Sequence, residues 1–239
     1  LLSHLDFNYF DTSHVEHLIL DEADRMLDMG FYDDIIKIVK KLPERRQNIL
    51  FSATMPPKIR SLGNKILNNP KTISLAISKP AEGITQSAYV IDESQKKALI
   101  STILKSRKKD LTHVLIFASS IKSVKEIKKN LNQNGIKSSD MHSGLNQSQR
   151  EETIRNFKNK KIKILVATDI LSRGIDIKGI ELVINYEVPN DAEDYIHRIG
   201  RTARADETGE AITLINVKEI NKFMNIEKLI GKEINKLNL

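Results

Sequence analysis

The sequence predicts an α/β fold with largely parallel sheets, divided into two parts of which the first is incomplete. Three observations carry this reading. Short apolar runs alternate with amphipathic, lysine-rich stretches, the pattern of strands joined by crossover helices. A break over residues 76–84 carries Ser78, Pro80 and Gly83, which suit a linker. Only three candidate strands precede the break, too few for a finished α/β layer, whereas a complete alternation follows it. The division is therefore 1–76, a linker at 77–84, and 85–239.

In chain order, the apolar runs predict strands at 15–20, 48–51, 72–75, 86–91, 114–117, 162–167, 182–186 and 211–215. Over 121–134, Ile121, Val124, Ile127 and Leu131 fall on one helical face, with Ser119 or Ser120 to cap its start and Gly135 to close it. Asp191, Glu193 and Asp194 place acidic residues in the first turn of another helix. The last 20 residues put Ile220, Phe223, Ile226, Ile230, Ile234 and Leu237 at three- and four-residue steps, the pattern of a terminal amphipathic helix packed on its own domain.

Composition narrows the function classes. The chain has 239 residues, 40% of them hydrophobic, which is enough for a sizeable core. It contains no cysteine, so disulfide frameworks and thiolate metal sites are excluded, and a cytoplasmic setting is expected. No apolar run reaches membrane-spanning length, and no basic-then-apolar leader opens the chain. The chain starts mid-pattern at Leu1 and reads as a fragment of a longer protein. Its net charge of +7 suits a polyanion. With only 5% aromatics and no tryptophan, phosphate contacts rather than base stacking would carry the affinity.

Five segments carry candidate chemistry. Asp21-Glu22-Ala23-Asp24 follows the apolar run Leu18-Ile19-Leu20, placing three carboxylates at a strand's carboxyl end, where open parallel sheets collect ligands. Mg²⁺ with a nucleotide phosphate suits such a cluster; a capped, solvated helix start is the alternative. Ser52-Ala53-Thr54 follows the second strand, where two hydroxyls can bond carboxylates on the neighbouring strand end or simply cap a turn before Pro56-Pro57. His197-Arg198-Ile199-Gly200-Arg201-Thr202-Ala203-Arg204 places three arginines at i, i+3 and i+6, expected on one helical side and suited to phosphate oxygens. Thr168-Asp169, followed by Arg173-Gly174-Ile175-Asp176, offers a hydroxyl and backbone amides for an RNA phosphate and a carboxylate for a ribose hydroxyl. Gln147 and Arg150, one turn apart after Met141-His142-Ser143-Gly144, also suit a backbone phosphate. Phe117 reads as core, and His142 as a satisfied loop histidine.

In this order, Asp-Glu-Ala-Asp, Ser-Ala-Thr, Ile-Phe-Ala-Ser-Ser, Gln147 with Arg150, Thr-Asp…Arg-Gly…Asp and His-Arg-Ile-Gly-Arg-Thr-Ala-Arg resemble the DEAD-box ATP-dependent RNA helicases over essentially the whole chain. Residues 25–31 fit the family too, and 203–209 with the terminal helix look most like its bacterial RhlE-type members. The resemblance implies two RecA-like domains that close on ATP and single-stranded RNA. It implies that Asp21 holds Mg²⁺ through water and that Glu22 orients or deprotonates the attacking water. Asp24 would couple to Ser52 and Thr54. Gly174 and Asp176 would lie at the nucleotide, with Asp176 on its ribose. Arg201 and Arg204 would be arginine fingers, and His197 would link the ATP and RNA sites. Gly144, Gln147, Arg150, Thr168, Asp169 and Arg173, with Gly174, would meet the RNA backbone without strong sequence preference.

Two departures stand out. Ala203 occupies a position that is glycine in most of the family. No Gly-x-x-x-x-Gly-Lys-Ser/Thr loop occurs in the chain, and that loop's amides and lysine cradle the phosphates. The isolated chain is therefore expected not to turn over ATP. A non-hydrolysing RNA-binding module and another superfamily 2 translocase remain alternatives; Asp24 in place of histidine and the Arg-Thr-Ala-Arg ending favour the RNA helicases.

Overall fold

The computed structural model describes residues 1–7, 9–74, 83–107, 111–169, 177, 179–202 and 208–237. The chain divides into two compact units, Leu1–Ile77 and Ser78–Leu239.

The first unit runs α1 (Leu2–Asp6), β1 (His17–Leu20), α2 (Ala23–Asp28), α3 (Tyr32–Lys40), β2 (Gln47–Leu50) and α4 (Pro57–Ile66). β1 and β2 pair in parallel, from His17 opposite Gln47 to Leu20 opposite Leu50. Helices α2, α3 and α4 bury Ala23, Leu27, Ile35, Ile59, Leu62 and Ile66 together, with Leu20 and Leu50 packed against them. Ile19, which points to the other face of the pair, is 58% exposed. The strand expected at 72–75 does not form over its described residues: 72–74 are irregular, and Ile73 is 85% exposed. Apolar and β-branched content marked it as a strand, but Pro70 and the left-handed Asn69 (φ 46°) precede it, and 72–74 pair with no described strand.

The second unit is built on a seven-stranded, all-parallel sheet. In chain order it comprises β3 (Ile84–Val90), α5 (Glu93–Ser106), β4 (Val114–Phe117), α6 (Ile121–Gln133), β5 (Ser139–Met141), α7 (Gln147–Lys158), β6 (Ile164–Ala167), β7 (Leu182–Asn185), α8 (Ala192–Ile199), β8 (Gly209–Ile215), a 3₁₀ turn (Val217–Glu219), α9 (Ile220–Ile230) and β9 (Asn235–Leu237). The strands lie in the order β5-β6-β4-β7-β8-β3-β9. The central strands are buried on both faces, as crossover helices require. Val114 and Ile116 of β4 pack with α5 and α6, whereas Leu115 and Phe117 face Phe157 of α7.

Helix ends follow local chemistry. Ser120 accepts from the Ser123 amide at 3.0 Å to start α6. Asn146 and Gln149 exchange bonds of 2.9 and 3.0 Å to start α7. The terminal amphipathic helix is shorter than the sequence pattern predicts. Gly231 adopts a left-handed conformation (φ 68°) and ends α9, and Leu237 instead lies in β9, which adds to the sheet beside β3. Phe223, Ile226, Ile230 and Ile234 (4%) are buried as the apolar spacing predicts, whereas Ile220 at the start of α9 is 38% exposed. Neither β5 nor β9 was expected; each is a three-residue edge strand rich in polar side chains.

Buried His113 lies beside β4 with its two ring nitrogens 3.2 and 3.0 Å from the carbonyls of Gly179 and Phe157. Burial holds its pKa below the usual histidine range, and the two carbonyls only partly oppose this. The unfolded chain thus binds a proton near pH 6.5 that the folded chain refuses. His113 contributes stability above that pH, and the contribution is lost as pH falls toward the folded value. Urea midpoints should drop as pH falls below about 6.5, with a slope no steeper than about 1.4 kcal/mol per pH unit for one proton. His113→Gln should flatten that portion of the profile. An unchanged profile in the variant would assign the acid sensitivity to other groups.

Candidate functional site

In the first unit the sequence brings its acidic and hydroxyl segments together at the carboxyl ends of β1 and β2. The Phe51 amide donates to the Leu20 carbonyl at 2.7 Å, and the Ala23 amide donates to the Phe51 carbonyl at 3.0 Å, so pairing continues past both strands. Asp21 leaves β1 exposed, and its Oδ1 accepts from the Glu22 amide at 2.9 Å. Glu22 precedes α2 in a left-handed conformation (φ 51°, ψ 46°), uncommon for a residue with a Cβ and of a kind that clusters at functional sites. Asp24 is buried (6% exposed). Its Oδ2 accepts both the Thr54 amide at 3.1 Å and the Thr54 hydroxyl at 3.2 Å, while Oδ1 accepts from the Arg25 amide at 2.9 Å. Ser52 donates from Oγ to the Thr54 carbonyl at 2.7 Å. The Ser-Ala-Thr segment is therefore tied to the carboxylate segment through Thr54 and Asp24.

A metal has a limited donor set here. Among the described residues no group of three or more histidines and carboxylates is placed to cage an ion. A single exposed carboxylate such as Asp21 fits Mg²⁺, which keeps most of its waters and takes phosphate oxygens, and does not fit an ion needing a full protein cage.

In the second unit the candidate residues gather at the carboxyl edge of the sheet. Met141 of β5 lies opposite Ala167 of β6, and the Thr168 amide donates to the Met141 carbonyl at 3.1 Å. This sets Thr168 beside the loop 142–146. His142 is 2% exposed, and its Nδ1 accepts from the Gly144 amide at 3.1 Å. A Cβ on Gly144 would sit 3.1 Å from that nitrogen, so glycine lets the loop fold over the ring. Arg150 turns back under the same loop, donating from Nε to the Leu145 carbonyl at 2.9 Å and from Nη2 to the Ser143 carbonyl at 2.6 Å. Gln147 opens α7 and donates to Glu151 at 2.7 Å.

The arginine segment departs from expectation. Helix α8 ends at Ile199, so Arg201 lies beyond it and does not share a helical side with Arg198. Arg198 points inward and is 1% exposed. It forms a fork on Asp169, Nε to Oδ1 at 2.6 Å and Nη2 to Oδ2 at 2.8 Å. Its Nη1 donates to Asn185 Oδ1 at 3.3 Å and to the Glu187 carbonyl at 3.2 Å, and the guanidinium lies 5.2 Å from the Phe117 ring centre. Asp169, expected to meet RNA, thus has both carboxylate oxygens committed to a buried cation inside its own unit. This ion pair braces the end of β6 against α8. One signal could have revealed this: Tyr195, Arg198 and Ile199 fall on the buried side of an amphipathic helix.

Beyond α8, Arg201 donates from Nε to the His197 carbonyl at 3.3 Å. Thr202 is buried and donates its hydroxyl to the Ile180 carbonyl, fixing the exit of this segment beside the sheet. His197 itself is half-buried in the last turn of α8. Arg173, Gly174, Asp176, Ala203 and Arg204 lie outside the described residues, as does most of the 203–209 stretch that carries the RhlE-type likeness. No helix among the described residues is long and apolar enough to cross a membrane.

A parallel strand pair whose carboxyl end joins acidic and hydroxyl segments, followed by a second parallel sheet with an arginine-bearing helix packed on it, defines a helicase-type α/β protein. Residues 1–62 match the family model described as DEAD/DEAH box helicase, and residues 94–206 match that of the helicase conserved C-terminal domain. The chain is similar to the ATP-dependent RNA helicase CshA of Listeria monocytogenes, 37% identical over 99% of this chain and 45% of the relative. It is also similar to the DEAD-box ATP-dependent RNA helicase RhpA of Helicobacter pylori, 40% identical over 98% of this chain and 47% of the relative. Among solved structures, S. cerevisiae Dbp5 bound to RNA and ADP BeF3 matches with a TM-score of 0.89 at 29% identity, covering 99% of this chain and 63% of that one. The chain belongs to the DEAD-box helicase family, and it spans about half the length of the curated relatives it matches.

Proposed function

We propose that this chain supplies the catalytic carboxylates, the coupling contact, the arginine fingers and RNA contacts of an ATP-dependent RNA helicase that separates short duplexes. Residues 1–76 are read as the C-terminal part of an ATP-binding RecA-like domain, 77–84 as a linker, and 85–239 as the second RecA-like domain. The observation that carries the reading is the shared Asp24 carboxylate, held by the Thr54 amide and hydroxyl, which joins the acidic segment to a second motif at the neighbouring strand end. Asp21 would hold Mg²⁺ in this reading, and the ion would supply charge neutralisation at the phosphates. Glu22 orients or deprotonates the attacking water, and Arg201 and Arg204 reach the γ-phosphate. Gly174 and Asp176 lie at the nucleotide, and His197 links it to the RNA. Thr168, Arg173, Gly144, Gln147 and Arg150 line the RNA backbone path, Arg150 mainly by holding the 143–145 loop in shape. The absence of cysteine is in keeping with a cytoplasmic setting.

The test is a chimera in which a DEAD-box relative supplies the missing phosphate-binding loop ahead of residue 1. RNA-stimulated ATP turnover is expected, and Glu22→Gln should lower kcat by roughly 10²-fold while leaving RNA affinity intact. Wild-type turnover in the Glu22→Gln chimera would remove Glu22 from the chemistry.

A further inference from the structure

All the described strands of the second unit run the same way, so the candidate RNA contacts at Thr168 and the 142–146 loop lie at one end of the sheet and the strand starts at the other. Helix α7 leads back to that far end. Its last turn and the connection into β6 carry Arg155, Lys158, Lys160, Lys161 and Lys163, all exposed. Lys137, also exposed, precedes β5; carrying the register Ser139 opposite Leu165 two residues back places it beside Lys163. None of these six cations forms an ion pair with a described residue. The nearby carboxylate of Glu181 accepts from the Thr112 amide and hydroxyl and the His113 amide, and its charge is also felt at Lys160 without an ion-pair contact.

Favourable placement at a helix C-terminus accounts for Arg155 and Lys158. It does not account for Lys160, Lys161, Lys163 and Lys137, which lie beyond any helix. Lys160 holds a left-handed conformation (φ 57°) that asparagine or glycine would adopt with less strain, yet the position carries a charge. The turn is fixed: the Lys160 amide donates to the Phe157 carbonyl at 2.9 Å, and the Lys161 and Ile162 amides donate to the Asn156 carbonyl at 2.9 and 3.2 Å. His113 Nε2 meets the same Phe157 carbonyl at 3.0 Å from below. Six cations therefore stand on backbone that needs little ordering on binding.

We infer that this rim grips the phosphate backbone of a duplexed RNA segment, apart from the single-strand path at the other end of β6; the choice of RNA rests on the function proposed above. None of the six positions is aromatic, so stacking on unpaired bases has no platform here. Lysines act as point charges on phosphate without reading sequence, and a duplex presents the denser row of phosphates.

The test uses the 239-residue chain, fluorescence anisotropy, a blunt RNA hairpin and a short single-stranded RNA, each titrated across salt. Lys158→Gln with Lys161→Gln and Lys163→Gln should weaken hairpin binding about tenfold or more and make the log-log salt slope shallower by about 2 to 3, with single-strand binding changed less than about twofold. The substituted side chains are exposed, so thermal melts should match wild type. A second variant, Lys137→Gln with Lys158→Gln, should lose less in the same direction. Unchanged hairpin affinity and slope, equal losses on both RNAs, or no hairpin binding by the wild type would each overturn the inference. Lysine-dependent binding of polyglutamate with hairpin binding unaltered would also overturn it, in favour of an acidic protein. Lysine-dependent hairpin binding without any single-strand binding would uphold the rim and instead refute the proposed RNA contacts at Thr168 and Arg150.

Discussion

Arg198→Met is expected to destabilise the second unit by about 3 kcal/mol, at the lower end of the range for breaking a buried ion pair. Methionine keeps most of the stem's volume, so the loss isolates the guanidinium, including its place over the Phe117 ring. Asp169 is one-third exposed and can recover some hydration. Asn185 is fully buried and cannot, although its amide still donates to the Thr213 hydroxyl at 3.2 Å. Arg198→Lys should recover little, because an ammonium cannot form the fork on Asp169 while also reaching Asn185 and the Glu187 carbonyl. Asp169→Asn should cost as much or more, since it leaves a buried cation without its counter-charge. Urea denaturation read by far-UV circular dichroism measures all three. A loss below about 1 kcal/mol in Arg198→Met would show that the network contributes little beyond what packing already secures. In a chimera that hydrolyses ATP, the same variants should also disturb Arg201, which hangs from the His197 carbonyl one residue before Arg198.

Arg198 also shows where the sequence was and was not readable. Central strands were legible because burial on both faces leaves continuous apolar runs: the run at 114–117 is β4, and 182–186 exceeds β7 by one residue. Edge strands were not. Ser139–Met141 and Asn235–Leu237 take their strand character from a neighbour's backbone, which no local pattern reports. Residues 72–75 show the converse, a strand-like composition with no described partner strand. The candidate site follows the same division. Asp24 and Thr54 stand thirty positions apart, and parallel pairing of the two preceding strands makes their meeting readable. The pairing of Asp169 with Arg198 depends on how α8 packs, and a motif rich in arginine drew attention to phosphate instead of to the core.

A second large effect is expected at Glu219, a position that no motif marks. Lys96 is fully buried in α5, with its ammonium 3.0 Å from Glu219 Oε2, 3.0 Å from Glu93 Oε2 and 5.3 Å from the Tyr186 ring centre. Glu219 in turn accepts the Val188 amide at Oε1 (3.1 Å) and the Asn216 amide at Oε2 (3.0 Å), tying the exits of β7 and β8 to α5. The two partners are therefore unequal. Lys96→Met leaves Glu219 with two backbone donors and should cost about 2 kcal/mol, the range of one charge-assisted hydrogen bond. Glu219→Ala leaves the buried ammonium with Glu93 as its remaining carboxylate and strips two amides of their acceptor at once, and should cost about 3 kcal/mol or more. The double variant should stay close to Glu219→Ala, because removing the lysine relieves the ammonium but not the amides. Urea midpoints of the three variants decide the matter. Equal losses for the two single variants would mean that the ion pair alone holds this corner, and a double variant near wild type would mean that the backbone amides find other acceptors.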